Sequence, residues 1–153
     1  MIFRVLILTL LPQLAFALPS SQPLLVMVTT PGGPIAPGVE PVTKTCEVWN
    51  NQVMLKKETG TSSQSSSSSV LINSQVIRNY IEQASKGTVT DRSGPTDMPT
   101  ITITANLWVS TQVEGQQYET VMIHQFGSAG VKTNDSIAAA QLKAIAEVFC
   151  LVQ

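Results

Sequence analysis

The clearest hydrophobic pattern in the chain is TITITANLWVS over residues 100–110. Ile101, Ile103, Ala105, Leu107 and Val109 alternate there with Thr100, Thr102, Thr104, Asn106 and Trp108. A period of two places the two sets on opposite faces of a strand, one buried and the other wet. YETVMIHQF over 118–126 reads as the returning strand, with Glu114 and Gly115 at the turn. A two-residue turn sets Leu107 opposite Met122, Ala105 opposite His124 and Ile103 opposite Phe126. Val121 and Ile123 then share the outer face with Trp108, whereas a slip of one residue would bury them.

KTCEVWNNQVMLKKET over 44–59 reads as a second hairpin. Strands 45–49 and 52–58 flank Asn50 and Asn51, residues that tolerate the positive φ of a tight turn. Two stretches carry helical spacing instead. In the first, Asn73 can cap the N-terminus, and Ile72 with Ile77 fits a hydrophobic staple. Ile77, Tyr80, Ile81 and Ala84 form its stripe, and Lys86 and Gly87 end it. The second begins at Asn134 or Asp135 as cap and aligns Ala138, Leu142, Ile145 and Phe149. The order hairpin, helix, hairpin, helix predicts an α+β fold of order ββαββα. Its sheet is mostly antiparallel, of about four strands in two hairpins, with both helices on one face.

The remaining segments lack such periodicity. Residues 18–43 are rich in Pro and Gly and read as an extended arm, within which LLVMVTT (24–30) has strand character. Residues 60–69 hold TSSQSSSSS, expected as a flexible loop inside one domain spanning 44–153, because the hairpin before it is too small to stand alone. Residues 86–99 read as a polar loop.

Export is the strongest functional inference. Residues 1–17, MIFRVLILTLLPQLAFA, show Arg4, an apolar run from Val5 to Leu11, and Ala15-Phe16-Ala17 before an expected cleavage. The run is too short for a permanent membrane span, and no later stretch is apolar enough for one. The destination would be a periplasm or the extracellular space. Removing Arg4 leaves eight Lys and Arg against ten Asp and Glu, a net charge of −2 without a basic stripe. Nucleic-acid partners, which require clustered cations, are therefore not expected. Cys46 and Cys150 are the only cysteines, and in an exported chain they should form a disulfide.

If Cys46 points inward, Glu47 and Trp49 point outward. Trp49, Trp108, Val121 and Ile123 then form a candidate partner surface, unless the arm folds over it. Catalytic motifs are absent. His124 is the only histidine, and no neighbouring acid orients it in sequence. Asp91 and Asp97 lack calcium-loop spacing, so no metal, cofactor or catalytic residue is assigned. A protease-facing role for Arg92 and Ser93 has only loop exposure behind it. The sequon Asn134-Asp135-Ser136 reads as a helix cap. The expected function is an exported, non-enzymatic interaction protein that meets another protein or an envelope component. The alternatives are an exported hydrolase using His124 and an envelope-associated structural domain tethered by the arm.

Overall fold

The computed structural model describes residues 22–109 and 117–151. Residues 1–17, expected as an export signal, and the expected turn at Glu114 and Gly115 lie outside the described residues. The remainder folds as one eight-stranded antiparallel sheet with two helices. The strands are β1 (Leu25–Thr30), β2 (Thr43–Val48), β3 (Gln52–Glu58), β4 (Ser63–Ser69), β5 (Val89–Arg92), β6 (Thr100–Val109), β7 (Gln117–Phe126) and β8 (Val131–Asn134). The helices are α1 (Ser74–Ala84), after β4, and α2 (Ile137–Leu151), after β8. Strand order across the sheet is β4-β3-β2-β1-β6-β7-β8-β5. The expected four-strand sheet of order ββαββα is thus incorrect: the sheet has twice that many strands, and the observed order is ββββαββββα.

The four additional strands each have a physical reason. β1 comes from the Pro/Gly arm yet occupies the middle of the sheet, paired with β2 on one side and β6 on the other. Pro23 and Pro31 bracket it and so leave its ladder N–H groups intact. Leu25 and Met27 point into the core. β4 is the serine run, expected as a loop. Its side chains are all exposed, and it is held by backbone pairing to β3 from Gln52↔Ser69 to Glu58↔Ser63. Serine brings no burial here; the open ladder of β3 supplies the hydrogen bonds. β5 and β8 are four-residue strands that pair with each other at the far edge, the first within the expected polar loop.

The local elements with strong patterns stand as read. The β2–β3 hairpin turns at Asn50 and Asn51, with the Trp49 amide donating to the Gln52 carbonyl at 2.8 Å. Neither asparagine has positive φ; among the described residues only Asp97 does so without being glycine. The Asn73 side chain caps α1 by accepting from the Val76 amide at 3.3 Å. The cap of α2 is Ser136, whose Oγ accepts from the Ala139 amide at 3.1 Å, one residue beyond the expected positions.

Both helices pack against one face of the sheet. The core between them includes Leu25, Val48, Val53, Ile77, Ile81, Ile103, Ala105, Ile123 and Leu142. The Cys46–Cys150 disulfide, with Cα atoms 5.8 Å apart, ties β2 to the last turn of α2. Among the described residues no helix is long and apolar enough to cross a membrane.

Candidate binding groove

The β6–β7 ladder decides which of the expected surface residues are available. Ile103 pairs with His124, but the next pair is Thr104↔Met122, so Ile123 is an extra residue. A bulge of this kind puts two consecutive residues on one face. Ile123 and His124 therefore both turn toward the helices, and Ala105 meets Val121 rather than His124. Val121 is 6% exposed and Ile123 2%, so the expectation that they share an outer surface with the tryptophans is corrected. Trp108 is 55% exposed, opposite Tyr118. Trp49 is half-buried and donates from Nε1 to Glu47 Oε2 at 3.2 Å, while Glu47 Oε1 takes Lys56 Nζ at 2.6 Å. β1 lies between the strands that lead to the two indoles.

His124 faces Lys143 and Glu147, which pair on α2 at 2.7 Å. Burial holds the imidazole below its ordinary pKa, and Lys143 adds to this, with Glu147 acting in the opposite sense. The ring makes no hydrogen bond among the described residues. Because the folded value lies below the unfolded one, the unfolded chain takes up this proton first. Stability should therefore fall as pH drops through about 6.5 and level off below the folded pKa. Urea midpoints on either side of that window should differ less in His124→Gln than in the parent protein. An unchanged difference would assign the pH dependence to other groups.

A concave feature lies elsewhere, on the helix-facing side beside the last described turn of α2. A groove of about 570 Å³ opens over β1–β4. Its floor includes Met27, Leu55 and Ile101, and its lip is the disulfide together with Leu151. Lys44, Lys57, Gln64 and Ser66 line the opposite side. The groove exists because the sheet is wider than the two helices. Val48 and Val53 are fully buried, whereas farther along the same face Leu55 is half-buried and Lys44 and Lys57 are exposed; the described part of α2 runs to Leu151. None of Lys44, Lys57 and Leu55 stood out in the sequence. A signal was available, however, since strand alternation puts Lys44 on the face of Cys46, and Lys57 on that of Leu55.

Among the described residues no three His, Cys, Asp or Glu gather as metal ligands would. Asp91 instead faces Lys132 across the β5–β8 edge at 3.7 Å. The sequon asparagine, Asn134, is buried and hydrogen-bonded. The chain matches no protein-family model, no curated protein and no solved structure.

Proposed function

We propose that this is an exported binding protein that holds its ligand in the groove beside the Cys46–Cys150 disulfide. One observation carries this reading: a concavity of about 570 Å³ lies beside the last described turn of α2, with the half-buried Leu55 and Ile101 in its floor. Pre-formed ligand sites commonly have volumes of about 300–1,000 Å³ and an apolar lining with a few polar groups. The disulfide supports export as well as the groove, because such bonds persist in oxidising compartments. The helix-capped sheet serves as the rigid frame, and the chemistry is recognition rather than turnover.

The reading is tested with a neutral apolar fluorophore such as Nile red. Saturable, single-site binding to the oxidised protein is expected. Ser66→Trp should abolish it, since Ser66 is an exposed strand residue and an indole there fills the groove without disturbing the core. Binding that survives Ser66→Trp but is lost in Trp108→Ala would move the site to the outer face and overturn the proposal. The free edge of β4 favours a second reading, in which an extended peptide partner adds a strand to the sheet. Such a partner would be indifferent to Ser66→Trp and sensitive to proline at a β4 position whose N–H points away from β3.

A further inference from the structure

The floor of the groove changes character within one step along its strands. On the helix-facing side, one cross-strand row reads Met27–Cys46–Leu55–Ser66. The next reads Ile101–Thr29–Lys44–Lys57–Gln64. Rows on one face are separated by two residues, about 6.7 Å. The half-open apolar side chain of Leu55 thus lies one step from the exposed Lys44–Lys57 pair within a single concavity.

The two lysines are direct partners in the β2–β3 ladder. Side chains so placed have Cβ atoms about 5 Å apart, and like charges there repel each other. The described ion pairs join Lys56 to Glu47, Lys132 to Asp91 and Lys143 to Glu147, and none of them includes Lys44 or Lys57. Among the described residues, the carboxylates of these strands and of the segment before β2 are directed elsewhere. Glu47 binds Lys56 on the outer face, Glu58 alternates onto that same face opposite Thr43, and Glu40 accepts from Thr61. The C-terminal end of α2 offers only about half a negative charge, against two positive ones. The lining contains no aromatic side chain on which a nucleobase or planar ring would stack.

From this juxtaposition we infer that the groove binds a single-chain anionic amphiphile, a free long-chain carboxylate. The head group lies between Lys44 and Lys57, and the aliphatic tail lies over Leu55 and Leu151. The inference rests on the groove being the ligand site and adds the ligand's chemistry. Two ammonium groups converging on one carboxylate relieve their mutual repulsion. The tail covers the apolar area that Leu55 and Leu151 still expose, at a gain that grows with each buried methylene.

Calorimetry of the oxidised protein with laurate, dodecanol and dodecyltrimethylammonium tests it. Laurate should bind at least about tenfold more tightly than the other two, the margin of one charge-assisted hydrogen bond. That margin should shrink as salt is raised. Lys44→Met with Lys57→Met should erase the preference for laurate while leaving dodecanol binding intact, and Lys44→Arg with Lys57→Arg should keep it. Equal affinity for laurate and dodecanol would overturn the inference and leave the groove as an apolar site. Binding of none of the three would overturn the groove reading as well. A chain ending at Leu151 should bind laurate as the full chain does. Binding that appears only after that truncation would mean that residues 152–153 fill the groove, and would sink the proposal. Anionic vesicles should not co-sediment the protein; co-sedimentation without laurate binding would replace the free amphiphile with a membrane surface.

Discussion

Loss of the Cys46–Cys150 disulfide should remove about a third or more of the stability of the protein. The bond closes a segment of 104 residues that contains β3, β4, α1, β5–β8 and most of α2. In the chain-entropy account, a loop of that length is worth about 4–5 kcal/mol, through the freedom it denies the unfolded chain. Small domains have only about 5–15 kcal/mol in total. Cys46→Ser with Cys150→Ser should therefore lower the urea midpoint sharply and bring the melting temperature down by more than about 10 °C. The variant also distinguishes two origins of the effect. If the bond acts on the unfolded state, the denaturant slope should increase, because the open chain exposes more surface. If it acts by holding the end of α2 on the sheet, the slope should stay constant and Nile red binding should fail while the rest of the fold persists. A midpoint within error of the parent protein would show that packing of Ala146 and Phe149 already fixes the helix end.

The same bond marks how far the sequence could be read. Elements whose determinants are local were legible. α1 has its cap at Asn73 and its stripe at Ile77, Ile81 and Ala84 within one dozen residues. The β2–β3 hairpin has its turn and alternation together, and the cysteine pairing followed from cell compartment and count. Elements set by partners distant in the chain were not. Nothing in the side chains of SQSSSSS says strand; β4 forms because β3 has a free edge. The strand character of β1 was legible in LLVMVTT, but its central place comes only from its two neighbours. β5 and β8 are too short to show alternation at all.

Register was lost for a different reason. One extra residue at Ile123 reverses the inferred facing of Val121 and Ile123, and a bulge leaves no mark in a run of apolar residues. The groove was beyond sequence altogether, since it depends on where α2 stops relative to strands almost a hundred residues earlier. What alternation could have offered is the inward facing of Lys44 and Lys57. Both lysines are exposed on the face that carries Cys46 and Leu55, so they mark where the helices no longer cover that face of the sheet.

Asn134→Ala should be among the most damaging single substitutions away from the core, although the residue is a polar strand end. Asn134 is 5% exposed. Its Nδ2 donates to the Ala84 carbonyl at 2.9 Å and to the Met122 carbonyl at 3.1 Å, and its Oδ1 accepts from the Ser136 amide at 3.1 Å. One side chain thus joins the end of α1, the middle of β7 and the turn that starts α2. Gly87 lies against it so closely that a Cβ there would strike Oδ1. Truncation to alanine deletes three hydrogen bonds and leaves buried backbone groups short of partners, which costs about 1–3 kcal/mol for each group that finds no replacement. The Ala84 carbonyl keeps the Gly87 amide as a second donor at 3.0 Å, so the loss falls mainly on Met122 and Ser136. A total of about 3 kcal/mol is expected, read as a drop in urea midpoint at constant slope. Asn134→Asp is the sharper test. It preserves shape and the acceptor to Ser136, yet turns an oxygen toward two carbonyls. It should cost at least as much as alanine at neutral pH and recover part of the loss in acid, where a protonated carboxyl can donate again. The sign follows from linkage: a carboxyl whose folded pKa is raised supports the fold below its unfolded pKa and weakens it as pH rises. The engaged Nδ2 also means that the sequon can take a glycan only before folding, so a glycosylated chain should lack the α1–β7–α2 junction. If both substitutions changed the midpoint no more than an ordinary surface replacement, about 0.5 kcal/mol, the junction would be held by helix packing and not by this asparagine.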